Sequence, residues 1–500
     1  MIKIFGFRKK GKRDKQEQFN IKNDENESIS QEAVPSAISK CCDLVKSIFG
    51  ISSDVVIQIF ETQKEKAMIV YVDGLVNKDL IDRDIISPLK STDFDGDISL
   101  AIKTNYRETE DISTFVGEVL QGNTGLFYEN SKKIFISDLK QWDKRTVDIP
   151  DAEAVTRGPR EGFTESIRTN TALLRRKIRT RKLIIENMIL GRQSNTPIGI
   201  AYVEGIVNQN VLKELKYRLS KIDTDAILES GYIEQFISEN TFSPAPGMGT
   251  TVKPDVVAAK ILEGRVAIFC DGTPHVLTIP ALFIEHLQTS EDYYNRFLLA
   301  ALQRLLRLLG LFISILLPGL VVAVISYNQE MMPRVFLISL ISSTQKTPLP
   351  SGAEIFFLVL MFELLKEAGT RLPKSVGTAI TIVGALIIGD AAVKAAIVGA
   401  PAVIVVALTA VTSFIAPSLT EFILVYRIFF LILGGSMGLI GIGAGMVIML
   451  TQLISTSSFG IPILSSFSIN EMKDKYVRFP LWSMKYRPAT IVKDNVQKTK

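Results

Sequence analysis

Histidine, tryptophan and cysteine are all scarce in this chain, whose 500 residues include two histidines, two tryptophans and three cysteines. The cysteines, Cys41, Cys42 and Cys270, have neither the number nor the spacing of a disulfide framework or a zinc site. We interpret Cys41 and Cys42 as small residues of an early helix, and the low cysteine use as typical of a reducing compartment. His275 and His286 have no carboxylates or cysteines at metal-ligand spacing, so we interpret both as ordinary surface or interface residues.

The motifs that carry enzyme chemistry are missing as well. The sequence has no glycine loop followed by a lysine that would bind phosphate, no nucleophile elbow, and no set of histidine and carboxylate residues. We therefore expect that the protein is not an enzyme and needs no cofactor and no metal ion. Aromatic residues do not alternate with its arginine-rich segments, so no nucleic-acid binding is expected either.

Charge is nearly absent from residues 376–470. This stretch holds only four charged side chains, which are Asp390, Lys394, Glu421 and Arg427. Residues 428–470 have no charged side chain. Uncharged runs such as Leu308–Ser326 and Val398–Ala416 are long enough to cross, or nearly cross, ~30 Å of hydrocarbon. The sequence therefore predicts an integral membrane protein with a large soluble front region.

The remaining charge is unevenly distributed, with a net of −3 in residues 1–296, +3 in 297–470 and +5 in 471–500. Residues 1–35 are polar and are expected to form a disordered basic arm, which either contacts anionic lipid headgroups or is solvated. Met1–Phe7 is too short for the apolar region of a signal peptide, so the front region is expected on the cytoplasmic side.

A seven-residue pattern occurs twice in the front region, at Tyr71–Asn77 and at Tyr202–Asn208. Each copy follows two β-rich runs separated by a polar turn, and each precedes a helical segment. We therefore predict two related α/β subdomains, residues 36–150 and 151–296, the second including a closing linker. An acidic residue followed by glycine lies within each copy. We interpret this pair as the end of a strand, with a ligand role for Asp73 or Glu204 as the alternative.

Two dense motifs lie in the second subdomain. The segment Arg157–Arg168 has the proline and glycine of a loop and precedes an arginine-rich helix, which Thr164 is expected to cap. The second motif is the turn Asp271–Pro274. Guanidinium groups at this density face water or pair with carboxylates of a neighbouring subunit. The residues proposed for assembly or signalling are Arg157, Arg160, Glu161, Arg168, Asp271 and Gly272.

Residues 297–470 are expected to form a helical membrane domain with four or six crossings. The amphipathic segment Phe297–Leu309 is expected at the cytoplasmic headgroups, leading into the first span. Loop 366–374 and tail 471–500 are both basic, and basic segments favour the cytoplasmic side of a membrane. We therefore expect both segments on that side, together with the front region. Further spans are predicted in 376–389, 398–416 and 422–455. The last is roughly 50 Å long as one helix, so it must tilt, extend past the bilayer or turn back at its glycines.

Two acidic residues are placed where lipid would make them costly, Glu363 and Asp390. Glu363 lies beside Lys366 and Glu367 on adjacent helical turns, which favours local pairing. The functional alternative is that Glu363, or Asp390 at the end of its apolar span, faces a shared cation path, since rings of acids concentrate cations in channels.

Eight short segments together resemble the A subunits of the spore germinant receptors, the GerA family. The resemblance begins at about residue 40 and covers almost all of the chain that follows, with the segments in order. They are Gly158–Asn170, Asp271–Pro274, Ser290–Tyr294, Phe362–Pro373, Ile382–Ala392, Val405–Phe414, Ser458–Pro462 and Phe479–Pro488.

The resemblance implies a complex with a transporter-like B subunit and a lipoprotein C subunit in the spore inner membrane. It also implies a role in sensing nutrients and starting germination, with A subunits forming a homo-oligomeric ring in the lipid bilayer that conducts cations. A non-conducting sensor scaffold is the alternative, and the lack of an inverted repeat disfavours a secondary transporter. The expected fold class is an α/β soluble N-terminal region of two related subdomains, followed by an α-helical polytopic membrane domain.

Overall fold

The computed structural model describes residues 34–91, 98–141, 153, 155–241, 243–344, 347–371, 389–464, 473–484 and 486–492. The predicted N-terminal arm lies outside the described residues except for its last two positions. The predicted span 376–389 lies outside them except for its last position.

The first subdomain is a five-stranded antiparallel sheet with helices on both faces. Helix α1 and helix α5 cover one face, where Val45, Phe115 and Val119 are buried against the sheet. Short helical turns after β2 cover the other. Its elements are α1 (Ile38–Phe49), β1 (Val55–Glu61), β2 (Lys66–Val72), α2 (Lys78–Ile81), a π-helical turn (Asp82–Ile86), α3 (Ser87–Lys90), α4 (Ile98–Ala101), β3 (Tyr106–Thr109), α5 (Ile112–Leu120), β4 (Thr124–Tyr128) and β5 (Ile134–Ser137).

The second subdomain has the same kind of layers, with α6 and α9 on one face of the sheet and α7 and α8 on the other. Its chain then continues through a 3₁₀ helix (Phe283–Leu287) and a short helix, α10 (Glu291–Tyr294). Its other elements are α6 (Ile167–Lys177), β6 (Leu183–Leu190), β7 (Thr196–Val203), α7 (Gln209–Ser220), α8 (Ser230–Ile237), β8 (Gly249–Thr251), α9 (Pro254–Leu262), β9 (Val266–Cys270) and β10 (Val276–Ile279).

Strand order confirms that the two subdomains are related. The first sheet is ordered β1-β2-β4-β5-β3 and the second β6-β7-β9-β10-β8, so each strand has a counterpart five places later. Tyr71 and Tyr202 occupy equivalent positions near the ends of β2 and β7. The glycines that follow have φ of +82° (Gly74) and +78° (Gly205), a region that favours glycine. The acid-glycine pair therefore ends a strand in both subdomains, as predicted.

The helices after residue 296 form a bundle. Among the residues that the structure describes, two helical stretches are long and apolar enough to cross a membrane, Phe297–Tyr327 and Pro417–Ser455. Between and beyond them lie shorter helices and a small hairpin. The elements are α11 (Phe297–Tyr327), a 3₁₀ turn (Gln329–Met331), α12 (Arg334–Thr344), α13 (Ser351–Thr370), α14 (Ala400–Ser413), a 3₁₀ turn (Pro417–Leu419), α15 (Thr420–Ser455), β11 (Ser457–Ser458), β12 (Ile461–Pro462) and a 3₁₀ turn (Leu481–Ser483).

Helix α15 turns back on itself at Gly438. This residue has φ of +63° and ψ of −144°, outside any helical region. The Tyr426 hydroxyl donates a 2.6 Å hydrogen bond to Gln452 Oε1, 26 residues later. These residues would be roughly 39 Å apart in a straight helix. Thr420–Ser455 is therefore a helical hairpin with arms of 18 and 17 residues, each roughly 26 Å long.

Both ends of this hairpin lie at the end of the bundle that adjoins the second subdomain, which we call the near end. Phe422, in the first turn, packs on Phe283 with ring centroids 5.0 Å apart. After the hairpin, the Ser458 hydroxyl donates to the Gly247 carbonyl at 2.5 Å. At the opposite, far end the Tyr327 hydroxyl donates to the Gly435 carbonyl at 3.0 Å, beside the Gly438 turn.

Helices α13 and α14 both run from the far end towards the near end. Gly399, just before α14, donates its N–H to Glu354 in the first turn of α13 at 3.2 Å. At their other ends, Phe362 and Phe414 pack with ring centroids 6.4 Å apart. The end of α13 and the start of α14 therefore lie at opposite ends of the bundle.

The described part of the C-terminal tail is packed on the second subdomain. We call residues 473–484 and 486–492 the C-terminal segment. Ile491 and Val492 are buried in the core that α7, α8 and the second sheet share. Asn208 Nδ2 donates to the Ile491 carbonyl at 2.9 Å, and Arg487 Nε donates to the Leu262 carbonyl at 2.9 Å. Composition alone indicated a basic tail but not this docking.

Candidate functional site

The two motifs predicted for assembly or signalling meet at the start of α6. The Ile167 N–H donates to Asp271 Oδ1 at 3.0 Å, and the Gly272 N–H donates to the Glu165 carbonyl at 2.7 Å. Asp271 thus satisfies a free N–H at the start of the helix. The prediction that Thr164 caps this helix is wrong, because the carboxylate arrives from the sheet and Thr164 bonds the Asn170 side chain instead.

The segment 155–164, which we call the arginine loop, is fixed against α10. The Thr156 hydroxyl donates to Glu291 Oε1 at 2.8 Å, and the Arg157 N–H donates to the same oxygen at 3.4 Å. Gly158 lies on the ring of Tyr294, so closely that a Cβ would come within 2.7 Å of it. Residues of the Ser290–Tyr294 motif therefore fix the loop that contains Arg157 and Arg160.

At the other end of the arginine loop, Glu161 is paired within the chain. Lys177 Nζ lies 2.9 Å from its Oε2, and Arg176 Nη2 lies 3.3 Å from its Oε1. These pairs hold the pKa of Glu161 below its usual value, although burial alone would raise it. Arg157 and Arg160 differ, since both side chains are exposed and neither has an ion pair with any residue that the structure describes.

Arg168 and the helix after it join the two subdomains. Arg168 Nη2 lies 2.8 Å from Asp73 Oδ1, so Asp73 takes part in an ion pair between the subdomains. Arg175 is 1% exposed and donates to both oxygens of Asp54 at 2.8 and 2.9 Å. The interpretation that these arginines face water or a neighbouring subunit is therefore wrong for Arg175, whose carboxylate partner comes from the first subdomain.

A second charged cluster attaches α11 to the soluble region. Asp292 is fully buried and accepts from Arg304 Nε at 2.8 Å and from Arg307 Nη2 at 2.9 Å. Arg307 also donates to the Leu287 carbonyl at 3.1 Å. The preceding turn thus brings a carboxylate that covers the guanidinium groups on the polar face of Phe297–Leu309. That this segment lies at the cytoplasmic headgroups stays a prediction.

The opposite face of the same helical turns carries exposed leucines. Their exposed fractions are 72% for Leu298, 54% for Leu302 and 58% for Leu305. Since α11 continues without a break to Tyr327, these leucines extend its apolar surface towards the near end of the bundle. A lipid environment suits such a surface better than water does.

The C-terminal segment closes this cluster. The ring of Tyr293 lies between two guanidinium groups, 5.4 Å from Arg304 Cζ and 4.7 Å from Arg478 Cζ. Its hydroxyl donates to Asp474 Oδ1 at 3.1 Å, and Asp474 also accepts from Arg304 through its backbone carbonyl. Burial and the Asp474 charge raise the pKa of Tyr293 far above its ordinary value.

A buried group of ionisable side chains lies beside a cavity at the same junction. The cavity, about 1220 Å³, is bounded by α9, the 3₁₀ helix, the loop before α15 and the C-terminal segment. Although burial alone would raise the pKa of Glu285, Arg265 and Lys260 hold it at about 2. Burial and the Lys260 charge lower the pKa of His286 to about 4, so this histidine is an uncharged residue of the junction rather than an ordinary surface residue.

Inside the bundle, Glu363 is paired with a residue of another helix. Arg427, 1% exposed, donates from Nη1 to Glu363 Oε1 at 2.8 Å and from Nε to the Ser314 carbonyl at 2.9 Å. Lys366 Nζ is farther away, 3.9 Å from the other oxygen. The bridge joins α11, α13 and α15. Sequence analysis considered only local partners, although Arg427 was one of four charges in a nearly uncharged region.

Two further acids of the bundle differ sharply in exposure. Asp390 is 61% exposed and accepts from Lys394 Nζ at 2.7 Å, one helical turn later. Glu354, which sequence analysis missed, is fully buried, and its carboxylate accepts the Gly399 N–H at the start of α14. The sequence offered one indication of this role, since Glu354 lies in the first turn of an apolar helix, where a carboxylate needs a partner. Among the residues that the structure describes, no histidine, cysteine and carboxylate group suits a metal ion.

The family model described as Bacillus/Clostridium GerA spore germination protein matches residues 43–490 of the chain. The chain belongs to the GerA family. One GerA-type relative is spore germination protein KA of Bacillus subtilis (strain 168), 39% identical over 478 residues, which cover 92% of this chain and 88% of the relative.

Another relative is the uncharacterized membrane protein YfkQ of the same strain, 40% identical over 460 residues, which cover 89% of this chain and 90% of the relative. Among solved structures, the chain is similar to the N-terminal domain of the A subunit of the Bacillus megaterium spore germinant receptor GerK3. The identity is 34% and the TM-score 0.40, and the match covers 50% of this chain and 97% of that one.

Proposed function

We propose that this GerA-family chain is the membrane subunit of a nutrient-sensing germinant receptor, and that its copies assemble into a ligand-gated cation channel that starts germination. The proposed partners are a transporter-like B subunit and a lipoprotein C subunit, and the proposed location is the spore inner membrane. On this proposal the chain is not an enzyme, and the nutrient is bound mainly elsewhere in the complex.

The direction of the helices supports a multi-pass arrangement with both described ends on one side. The second subdomain adjoins the near end of the bundle, and both ends of the α15 hairpin lie there too. The C-terminal segment is docked on that subdomain. This arrangement supports our proposal of an even number of crossings, with the front region and the C-terminal segment on the cytoplasmic side.

The exposed carboxylate of Asp390 is the observation that carries the channel proposal. Gly389 adjoins Val403, one turn inside the start of α14, so Asp390 lies within the bundle rather than beyond it. Ionised side chains at membrane depth require water or a protein partner. A ring of copies would bring several Asp390 carboxylates together around one path and concentrate cations there.

Glu363 has a different proposed role, because Arg427 already neutralises it within the subunit. We propose that this bridge fixes α13 against α11 and α15, and that conduction requires these helices to keep that arrangement. The pairing also favours the alternative function, a non-conducting scaffold that relays nutrient binding by the transporter-like partner, since a carboxylate bound to a buried arginine is less available to a path than the exposed Asp390–Lys394 pair.

The test is cation flux from liposomes that contain this chain together with its B and C partners. A mixture of amino acids, sugars and nucleosides serves as the trigger, and flux is compared between the wild type and Asp390→Asn. Removing one unit charge close to a hydrated cation changes the interaction by about 1 kcal/mol. Flux is therefore expected to fall roughly fivefold, while the amount of reconstituted protein stays the same.

Glu367→Gln is the matched control, because Glu367 is also an exposed acid of the bundle, 63% exposed and paired one turn away with Arg371. It is expected to leave flux unchanged. No triggered flux from the wild-type complex, together with normal germination of the spores that supply it, would favour the scaffold. Equal flux from wild type and Asp390→Asn would remove Asp390 from the path.

A further inference from the structure

The C-terminal segment is docked firmly, yet it leaves large apolar side chains exposed. Arg478 is buried and donates from Nε to the Asp292 carbonyl at 3.4 Å, while Ile491 and Val492 lie in the core of the second subdomain. Apolar side chains that a docked segment leaves exposed indicate a binding surface when several of them occur together. The exposed side chains, which we call the apolar group, are those of Val477, Phe479, Leu481, Trp482 and Tyr486.

The apolar group follows directly after the contacts that hold the segment at the start of α11. Asp474 accepts from Arg304 of α11 through its backbone carbonyl, and its Oδ1 accepts from the Tyr293 hydroxyl at 3.1 Å. Trp482 is four residues after Arg478, so their Cα atoms lie within roughly 15 Å of each other. The group therefore lies close to the first turns of α11, where the apolar surface of the bundle begins.

Lipid is the partner that suits this position. The exposed leucines of α11, such as Leu298 and Leu302, start the apolar surface that continues along the helix to Tyr327. Because the apolar group adjoins the start of that surface, a bilayer that covers α11 would have its headgroups close to the group. A protein partner would have to bind at the same level, beside the membrane.

The side chains themselves also match a headgroup layer. Trp482 is 79% exposed and Leu481 63%, and tryptophan and tyrosine rings favour the boundary between membrane and water. Anionic headgroups attract basic segments, and the described part of the segment has a net charge of +3. Its charged residues are Lys473, Lys475, Arg478 and Arg487, which are basic, and Asp474, which is acidic.

We propose that the apolar group inserts into the cytoplasmic headgroup layer and anchors the second subdomain to the bilayer. The proposal rests on the membrane location proposed above and adds a contact with lipid outside the membrane helices. Since the segment is already folded onto the protein, its exposed side chains would enter lipid without the cost of ordering a free tail.

Such an anchor would connect three parts of the receptor. The segment binds the start of α11 through Arg304, enters the core of the second subdomain through Ile491 and Val492, and would reach the lipid through Trp482. A shift of α11 along its axis would therefore move Trp482 deeper into the headgroups or out of them. The anchor thus opposes changes in the height of the second subdomain above the bilayer.

The test uses the fluorescence of Trp482, because the chain has only one other tryptophan, Trp142. The full-length chain with Trp142→Phe is placed in vesicles of phosphatidylethanolamine and phosphatidylglycerol, some of whose lipids carry bromine high on the acyl chain. Bromine quenches tryptophan only at short range. Emission is expected to fall about twofold or more, and to fall less when the bromine lies near the end of the acyl chain, since an interfacial ring lies near the headgroups.

The matched control places the single tryptophan in the first subdomain, by Ile59→Trp in a chain that also has Trp142→Phe and Trp482→Phe. Ile59 is an exposed residue of β1. Its tryptophan is expected to keep its emission in brominated vesicles and to be quenched by acrylamide from the water. The difference between the wild type and Trp482→Phe gives the same information about Trp482 without a change at Trp142.

Emission from Trp482 that brominated lipid leaves unchanged, with open access to acrylamide, would overturn the proposal. Protection from acrylamide without quenching by bromine would also overturn it, by assigning the apolar group to a protein partner. That partner would be a second copy if the chain alone shows the protection, and a B or C subunit if protection needs their presence. A chain that alkaline carbonate extracts from the vesicles would contradict the membrane location itself, which differs from an inserted chain whose Trp482 is not quenched.

Discussion

Asp54 and Arg175 form a buried ion pair between the two subdomains, although 121 residues separate them in the chain. Arg175 also donates to the Leu183 carbonyl at 2.9 Å, and the Ser52 hydroxyl donates to Asp54 at 2.6 Å. Both charged groups therefore have hydrogen-bond partners beyond each other. The pair fixes the start of β1 relative to β6 and so defines how the related sheets are joined.

Replacing Arg175 by methionine is expected to destabilise the protein by about 3–5 kcal/mol, because the Asp54 carboxylate would remain buried without its partner. Arg192→Met is the matched control. Arg192 pairs with Asp223 in the same way, but the two side chains are 63% and 66% exposed, and exposed pairs contribute about 1 kcal/mol or less. Melting temperatures of the full chain in detergent test this, and equal shifts for the two variants would contradict it.

Replacing Glu363 by glutamine is expected to lower the abundance of the protein in the membrane, because a buried Arg427 would lose its counter-charge at a cost of about 3–5 kcal/mol. Replacing both residues by methionine is expected to recover most of the abundance. Quantitative immunoblots of membranes measure both. If Glu363→Gln instead leaves abundance normal and reduces cation flux, Glu363 belongs to the ion path rather than to the bridge.

Replacing Gly438 by alanine is expected to destabilise the α15 hairpin by roughly 1–3 kcal/mol, since its backbone conformation is one that other residues avoid. The new Cβ would also lie 2.9 Å from Tyr327 Cβ. Gly443→Ala is the control, because a Cβ added at that residue would have no neighbouring atom within 4 Å and alanine suits a helix better than glycine. Thermal unfolding in detergent should separate the two, and identical unfolding would argue against a strained turn.

Acid is expected to weaken the junction in two stages. The pKa of His286 falls from 6.5 to about 4 on folding, so the unfolded chain binds more protons below pH 6.5 and stability declines between pH 6.5 and 4. The pKa of Glu285 falls from 4.5 to about 2, so its contribution is lost between pH 4.5 and 2. His286→Asn should reduce the first decline in melting temperature and leave the second.

The control for this pH dependence is His275→Asn, which changes the other histidine of the chain, in the turn before β10. It is expected to follow the wild-type curve. A His286→Asn variant whose melting temperature falls as steeply as that of the wild type between pH 6.5 and 4.5 would show that another group is responsible.

Local pattern was sufficient to predict the front region. Apolar runs and polar turns predicted two strands before each copy of the repeat, where β1, β2, β6 and β7 lie. The repeat around Tyr71 and Tyr202 predicted two related subdomains, and their sheets share one strand order. These features depend on neighbours in the chain. Glycine content likewise offered a turn within Phe422–Ser455 as one of three possibilities, and Gly438 is where it occurs.

The same reasoning could not predict hydrogen-bond and ion-pair partners that are distant in the sequence. Asp271 replaces the expected Thr164 at the start of α6 because a turn 104 residues later returns to that point. Arg427 reaches Glu363 across 64 residues. A charge count shows that such residues need partners but cannot say which ones, since the choice depends on how the helices pack.

The burial of Ile491 and Val492 in the second subdomain has a consequence for synthesis. A ribosome releases the front region long before it makes these residues, and all described bundle helices emerge in between. The second subdomain can complete its core only after the bundle helices have been made. A chain whose C-terminal segment has not docked would therefore expose that unfinished core to proteases.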